Sequence, residues 1–283
     1  MRGLLLLSVI CTTVFATDSV YELAQARYNR TEYEASLRLL LPEPGKDAPT
    51  LALIGQNYLM MGDPKDAGDF FERAVALEPA NSVYHHWLGR AYGRLAETGS
   101  MLTALGNASK ARQHFEKAIQ LDPQNADARH DLFEFYVEAP GFLGGGLDKA
   151  ERLAVLIAAH DAAEGQYAQA RIAEKRKEYH GAEAHLRQAM ELAPRQVGRV
   201  IDLAKFLAQH GRFDESDRTF QAAEKIAPSA PKLMFARAST YIEAKRNIGT
   251  ARSLLRKYLR AQLTPDDPPR SEALKLLQQV SGG

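Results

Sequence analysis

The sequence predicts an all-α protein, a solenoid of about seven helix-turn-helix units. The first observation is a recurring segment that reads L-x-x-I-G-x-x-Y from Leu51 and H-x-x-L-G-x-x-Y from His85. The second is a spacing of one small residue, one large apolar residue, one alanine and one proline, which begins at Ala67, Ala111, Ala182 and Ser216. Because apolar residues recur at helical intervals and proline cannot continue a helix, each copy indicates a pair of helices that its proline closes.

The same pattern sets large side chains against small ones, which predicts close packing of the two helices. Ile54, Tyr58 and Phe71 form an apolar stripe, while Gly55 and Ala74 are small where the helices must approach. A leucine at Gly55 or Ala74 is therefore expected to destabilise the protein by roughly 1–3 kcal/mol. One pair cannot bury this stripe alone, so neighbouring pairs are expected to stack into a continuous core.

These spacings resemble the tetratricopeptide repeat, a helix-turn-helix unit of about 34 residues. The resemblance covers nearly the whole chain after residue 16, and its several copies make it specific. It implies a right-handed α-solenoid with one concave face, which the first helix of each unit lines. It also implies a role in binding other proteins.

The chain after residue 16 is expected to form one solenoid over 17–283. Its units are predicted at about 17–44, 48–81, 82–125, 126–162, 163–196, 197–230 and 231–264, with a capping helix at 268–280. The first unit is degenerate, as terminal repeats usually are, because one of its sides faces water. In the capping helix, Leu274 and Leu277 are predicted to face the last unit.

Two inserts interrupt the regular spacing, at 98–109 and 139–147. The first contains apolar residues and is expected to add a helical turn that packs on the stack. The second holds three consecutive glycines but lacks the G-x4-G-K-[ST] spacing and the preceding strand of a phosphate-binding loop. It is predicted to be a flexible loop in which Gly145 tolerates substitution, and Asp148 is predicted to cap the helix that follows.

Residues 1–16 are predicted to be an export signal. Arg2 precedes a short apolar run, and Val14 and Ala16 fit the small-residue cleavage rule, so Thr17 is the expected mature N-terminus. The run is shorter than the roughly 20 residues of a spanning helix, although an uncleaved N-terminal anchor is the alternative. The predicted location is therefore periplasmic or secreted, with no membrane span after cleavage. The only cysteine, Cys11, lies in this segment, so the mature chain would have no disulfide or thiol nucleophile.

Charge and motifs argue against several classes of function. The formal net charge is +1, or zero once Arg2 is removed, and a neutral protein is a poor nucleic-acid binder. The eight histidines show no H-E-x2-H or i, i+4 pairing, and no serine lies in a G-x-S-x-G elbow. The sequence therefore predicts no catalytic site, no metal site and no cofactor.

The resemblance implies that outward positions of the first helices touch a partner in the concave groove. Carried over unit by unit, these positions are Gln56 and Met60; His86, Arg90 and Arg94; His130 and Glu134; Tyr167, Arg171 and Lys175; and Lys205 and Gln209. The middle of this set is basic, which favours an acidic peptide or a C-terminal carboxylate, because arginine binds carboxylates through two parallel hydrogen bonds. The alternative is that these charges only keep the surface soluble.

We therefore expect a non-enzymatic scaffold of an exported bacterial type, which binds a protein or peptide in its concave groove. Reversing Arg90 and Arg171 to glutamate should then remove binding and leave stability nearly unchanged, since solvated charges contribute little to folding. The alternative is a permanent accessory subunit or chaperone-like assembly factor of a cell-envelope complex. In that case the convex ridges or the two inserts would make the contacts.

Overall fold

Fifteen α-helices make up the part of the chain that the structure, a computed structural model, describes, which is residues 19–280. Fourteen of them form seven consecutive pairs. The pairs are α1 (Val20–Asn29) with α2 (Tyr33–Leu40), α3 (Ala48–Met61) with α4 (Pro64–Leu77), α5 (Ser82–Thr98) with α6 (Met101–Leu121), α7 (Ala126–Glu138) with α8 (Leu147–His160), α9 (Ala162–Lys175) with α10 (Tyr179–Leu192), α11 (Val197–Gln209) with α12 (Phe213–Ile226), and α13 (Pro231–Glu243) with α14 (Ile248–Arg260). The last helix, α15 (Arg270–Gln279), packs on α14 and α13. The predicted all-helical solenoid with a C-terminal capping helix is confirmed.

Local sequence sets where the first helix of a unit begins. In the first five units a side-chain oxygen accepts a backbone N–H of the first turn, and these capping residues are Ser19, Asp47, Asn81, Asn125 and Asp161. At Ser19 the arrangement is reciprocal, because the Glu22 carboxylate also accepts the Ser19 N–H at 2.8 Å. Each cap satisfies a donor that the helix itself cannot, which fixes the start of the helix.

Five of the seven pairs share one turn. Directly after the first helix or its cap, one residue adopts a left-handed backbone conformation, and these residues are Thr31, Gly62, Lys177, Gly211 and Lys245. In each case the next N–H donates to a carbonyl five residues back, as Asp63 does to Tyr58 at 2.9 Å. This is the Schellman ending of a helix, and it gives the five pairs a common geometry.

The third pair lacks this turn because its insert is helical. Only Gly99 and Ser100 separate α5 from α6, and residues 101–109 extend α6 at its N-terminus. The expectation that the insert packs on the stack is wrong for Leu102, whose surface is 93% exposed. The start of the insert therefore projects from the solenoid as helix.

The fourth pair carries a compact insert where the sequence predicts a flexible loop. Residues Gly141–Leu143 form one 3-10 turn, and the Gly146 N–H donates to the Tyr136 carbonyl at 2.8 Å. Gly145 is buried, and a Cβ added there would lie 1.9 Å from the carbonyl oxygen of Ala139, so its predicted tolerance of substitution is wrong. Asp148 does not cap α8 either, because it lies inside the first turn and accepts from Arg152 at 3.0 Å.

Small residues and aromatic rings meet inside the regular pairs as the spacing predicts. A Cβ added at Gly55 would lie 2.8 Å from the ring of Phe71, and one added at Gly89 would lie 2.6 Å from the ring of Phe115. Buried side chains continue from one pair to the next, so the apolar core runs along the stack.

The C-terminal helix covers the last pair as predicted, but only one of its two predicted contact residues, Leu277, packs there. Ala273 is fully buried against the last pair, and Leu276 and Leu277 pack beside it. Leu274 is 48% exposed, so its assignment to the inner face is wrong. The predicted signal at 1–16 lies outside the described residues.

Candidate functional site

The first helices of successive units pack against one another, which places them on the inner side of the stack. Contacts of this kind join α3 to α5, α5 to α7, and α7 to α9. A cavity of about 710 Å³ opens on this side, between α3, α5, α6 and α7. Its volume lies within the range of about 300–1,000 Å³ that is usual for ligand pockets.

One wall of the cavity comes from the far end of the chain. The segment 265–269, which is Pro-Asp-Asp-Pro-Pro, lines it together with Glu272 of α15. Arg94 of α5 donates to Glu272 at 3.2 Å across a separation of 178 residues. The solenoid thus curves until its C-terminal segment, which we define as residues 265–272, reaches the third unit.

The C-terminal segment also approaches the first unit. Burial raises the pKa of the Tyr33 hydroxyl to about 12, and the charges of Arg270 and Asp267 act on the same group in opposite directions. The C-terminal segment therefore lies within electrostatic range of the first unit.

The segments that depart from the repeat pattern converge on this cavity. The first insert contributes Ala108, the second contributes Ala139, Pro140 and Leu143, and the C-terminal segment forms the opposite wall. The regular helices supply an apolar floor, which includes Phe115. A regular solenoid would have an open groove here, so the departures from regularity convert a groove into a partly enclosed cavity.

The cavity is acidic, which corrects the prediction of a basic groove. Seven carboxylates line it against three cations, an excess of four negative charges. The carboxylates are Glu97, Asp131, Glu134, Glu138, Asp266, Asp267 and Glu272, and the cations are Arg90, Arg94 and Lys232. The expectation of an acidic partner rested on a basic groove, and the lining of this cavity does not support it.

Two of the three cations are already engaged within the protein. Arg90 lies over the ring of Trp87, 4.6 Å from its centroid, and its Nε is 3.8 Å from Asp131. Arg94 pairs with Glu97 at 3.0 Å as well as with Glu272. Both guanidinium groups therefore have carboxylate partners within the protein.

Farther along the inner side, the predicted basic residues belong to a ladder of ion pairs between units. Arg171 donates to Glu134, Glu138 and Glu174 at 2.8–3.3 Å, and Lys175 donates to Glu138 at 2.9 Å. Lys175 and Arg171 hold the pKa of the Glu138 carboxyl below its usual range against the effect of burial. Because the Arg171 side chain is only 25% exposed, its reversal to glutamate would destabilise the fold, contrary to the expectation of a neutral change.

The ladder continues at both ends through histidines. His86 is buried and lies 2.8 Å from Asp131; although burial acts to raise the pKa of Asp131, this hydrogen bond leaves it lowered. His130 lies 2.8 Å from Glu164, and this bond raises the pKa of His130. Both histidines, and Tyr167 with its bond to Glu134, therefore act between units rather than as open groove positions.

The remaining predicted groove residues divide between the cavity and its surroundings. Met60, Arg90, Arg94 and Glu134 line the cavity. Gln56, Lys205 and Gln209 lie outside its lining. The sequence did not predict a role for Gly93 or for the C-terminal segment. The signal for the latter was the proline-rich string 265–269.

A second polar cluster lies inside the third unit, away from the cavity. His85 Nε2 lies 3.0 Å from the Pro79 carbonyl, and its Nδ1 lies 3.0 Å from Nδ1 of His114. Since a carbonyl only accepts, His85 carries its proton on Nε2 and accepts from His114 at Nδ1. Burial and the neighbouring His85 lower the pKa of His114 to about 4, so His114 is neutral at pH 7.

Two further properties concern only residues 19–280. This part of the chain contains no group of three or more histidine, cysteine, aspartate or glutamate residues that could hold a metal ion. None of its helices combines the length and the apolar character needed to cross a membrane.

Comparisons with known proteins agree with this architecture. A tetratricopeptide repeat family model matches residues 48–81 and 90–125. A comparison with curated proteins gives no significant match.

Solved structures with similar folds include three helical repeat proteins. A thermophilic TPR protein of Thermus thermophilus has a TM-score of 0.54 and 23% identity, over 66% of this chain and 97% of that chain. A tetratricopeptide repeat protein of Parabacteroides merdae has a TM-score of 0.56 and 14% identity, over 93% of this chain and 97% of that chain. Yeast Tom70 has a TM-score of 0.57 and 16% identity, over 93% of this chain and 54% of that chain.

At these identities the likeness concerns the fold. Stacked helical repeats of this kind present extended concave surfaces, the feature that suits them to bind other proteins. The repeated spacing, the seven helix pairs and the two matching segments together show that this chain contains tetratricopeptide repeats.

Proposed function

We propose that this protein is a non-enzymatic scaffold that holds a segment of a partner protein in the cavity on its inner side. The observation that carries the proposal is the convergence of both inserts and the C-terminal segment on one cavity. Neighbouring units bury the core of a helical solenoid, so the stacking of its units does not require the two inserts. Their common location supports a binding role for the space that they enclose.

Gly93 of α5 makes the proposal testable, because it lines the cavity and no atom lies within 4 Å of a Cβ added there. Gly93→Leu should fill part of the cavity without disturbing the helix. The matched control is Gly106→Leu on α6, since Gly106 is exposed, also has open space and lies outside the cavity lining.

The experiment is in-cell photo-crosslinking from Ala96, which lines the cavity, compared with Lys65, an exposed residue of the second helix α4. We expect one dominant crosslinked partner from Ala96, lost in the Gly93→Leu background and kept in the Gly106→Leu background. Mass spectrometry of the captured species identifies the partner. Equal capture from Lys65, or capture that survives Gly93→Leu, would show that the cavity is not the binding site.

A second candidate function is a permanent subunit or chaperone-like assembly factor of a larger complex. It is favoured by the exposure of Leu102 at 93% and Phe142 at 78%, both within the inserts. If these side chains are the contact, Leu102→Ser with Phe142→Ser should release the protein from its complex, while Gly93→Leu should have no effect. The reverse pattern would support the cavity.

We also propose that the protein is exported and that residues 1–16 are removed. The support is the charged start, the short apolar run and the small residues Val14 and Ala16. N-terminal sequencing of the exported protein should begin at Thr17, and a sequence that begins at Met1 would favour an anchored form.

A further inference from the structure

We infer that the segment held in the cavity is cationic, with at least one arginine or lysine beside an apolar residue. This inference rests on the proposed function and adds the chemical class of the partner. It reverses the preference for an acidic partner that the sequence predicts. It follows from three features of the cavity: its charge, its free carboxylate capacity and its floor.

The charge of the cavity would repel an acidic segment. Seven carboxylates face three lining cations, and two of the carboxylates, Glu134 and Glu138, are balanced by Arg171 and Lys175, which leaves an excess of two negative charges. These charges lie in a partly enclosed space, where screening by salt is weaker than on an open surface. Both arginines in the lining already pair with carboxylates, and Lys232 is the one lining cation that makes no ion pair within residues 19–280. An incoming carboxylate would therefore find a single vacant cation. An incoming cation would meet unsatisfied acceptors instead.

Carboxylates that can accept further hydrogen bonds lie on the two facing walls of the cavity. Asp266 makes no hydrogen bond or ion pair within residues 19–280, and its charge acts on Tyr28 at a distance. Glu97 on the opposite wall, whose side chain is 64% exposed, bonds only to Arg94. Since an ionised carboxylate has about four acceptor sites, both can accept N–H groups from a guanidinium or ammonium.

The apolar floor of the cavity is the reason for inferring an apolar residue beside the cation. Leu59, Phe115 and Phe135 line the cavity, and Pro265 and Pro268 face them from the C-terminal segment. A purely ionic ligand would leave this surface wet. An apolar side chain next to the cation would bury it, at about 25 cal/mol for each Å² removed from water.

The probe is a displayed library of random twelve-residue peptides, panned on the purified wild-type protein and on the Gly93→Leu variant. We expect wild-type protein to enrich peptides in which arginine or lysine adjoins leucine, isoleucine or phenylalanine, and Gly93→Leu protein not to enrich them. The most enriched peptide, made synthetically, should bind about tenfold or more weakly to protein carrying Glu97→Lys with Asp266→Lys.

The control variant carries Asp69→Lys with Glu191→Lys, which makes the same change of charge at exposed positions on the second helices α4 and α10. It should bind the peptide as wild-type protein does. All variants should keep the helical circular dichroism of wild-type protein, because exposed charges contribute little to stability.

Three results would overturn the inference, and they separate it from the proposed function. Enrichment of acidic or uncharged peptides that depends on Gly93 would mean that the cavity binds but the class of partner is wrong. Equal weakening by the control variant would mean that total charge, rather than these two walls, attracts the peptide. If wild-type and Gly93→Leu proteins enrich the same peptides, or neither enriches any, the cavity is not a peptide site and the proposed function fails with the inference.

Discussion

Helix α5 contains two glycines one turn apart: Gly89 is tightly packed, whereas Gly93 has empty space beside it. A Cβ at Gly89 would lie 2.6 Å from the ring of Phe115 and 3.3 Å from the Ala111 carbonyl oxygen, whereas a Cβ at Gly93 would meet no atom within 4 Å. The first belongs to the packed interior of a regular pair, and the second belongs to the cavity. The repeat spacing accounts for Gly89, because it specifies a small residue opposite an aromatic ring. It says nothing of Gly93, because the space there exists only through the curvature of the stack.

The same contrast holds between the packed interior of the regular pairs and the cavity walls, which the two inserts and the C-terminal segment form. In the packed interior, large and small side chains of one unit fill each other's space, so the fit is local. Around the cavity, the walls come from residues as far apart as Arg94 and Glu272, and each wall is held by its own unit. A change in the interior should therefore alter stability first, and a change in the cavity should alter binding first.

The largest expected effect is at Gly145, in the wall of the second insert. A Cβ there would lie 1.9 Å from the Ala139 carbonyl oxygen, and backbone cannot give way as a side chain can. Gly145→Ala should cost about 3 kcal/mol in the free energy of unfolding. Urea denaturation measures this, with Gly141→Ala as the control, since Gly141 lies in the same insert with open space around it. Equal midpoints for the two variants would mean that the insert is loosely held.

Gly89→Leu should come next, at a cost of roughly 1–3 kcal/mol, because the Phe115 ring must move to admit the side chain. Thermal and urea unfolding of Gly89→Leu and Gly93→Leu form the direct comparison. A cost at Gly93 that matches the cost at Gly89 would show that the cavity is filled in solution, and the distinction between the two regions would fail.

The packed interior should also respond to pH through His114. Its pKa is about 4 when folded and about 6.5 when unfolded, so below pH 6.5 the unfolded state binds more protons and stability falls as the pH falls towards 4. Between pH 7 and pH 5 the free energy of unfolding of wild-type protein should fall by about 1–2 kcal/mol more than that of His114→Phe.

The groups around this imidazole are His85, Glu72, Lys110 and Tyr92. His180→Phe, at an exposed residue, is the control and should follow wild-type protein. If His114→Phe keeps the full pH dependence, the titration comes from another group. The carboxylates of the ion-pair ladder are not that group, because their lowered pKa values place their effect on stability below about pH 5.

The smallest effect on stability should be at Gly93 itself. Replacing a glycine inside a helix by leucine gains up to about 1 kcal/mol in helix propensity, and no contact opposes the change. Gly93→Leu should therefore melt at or slightly above the temperature of wild-type protein while losing its partner. Loss of stability together with loss of binding would leave the two regions indistinguishable by this residue.

The sequence by itself determined the helix pairs and their internal packing. These features depend on residues within about 34 positions of each other, such as Gly55 and Phe71 or a cap and its first turn, so a regular spacing encodes them. Even within this range the prediction of a flexible loop for the second insert is wrong. Three consecutive glycines indicate flexibility, and the sequence does not show that the Ala139 carbonyl crowds Gly145.

Only the tertiary structure decided the charge and enclosure of the cavity. The arginines that the sequence placed in a basic groove meet carboxylates from the next unit, as Arg171 meets Glu134, or from the end of the chain, as Arg94 meets Glu272. Which charges face each other depends on the curvature of the whole stack, the sum of small rotations over seven units. A sequence pattern within one unit does not contain that sum. It therefore predicts which residues lie on the inner side of the stack but not which residues of other units they contact.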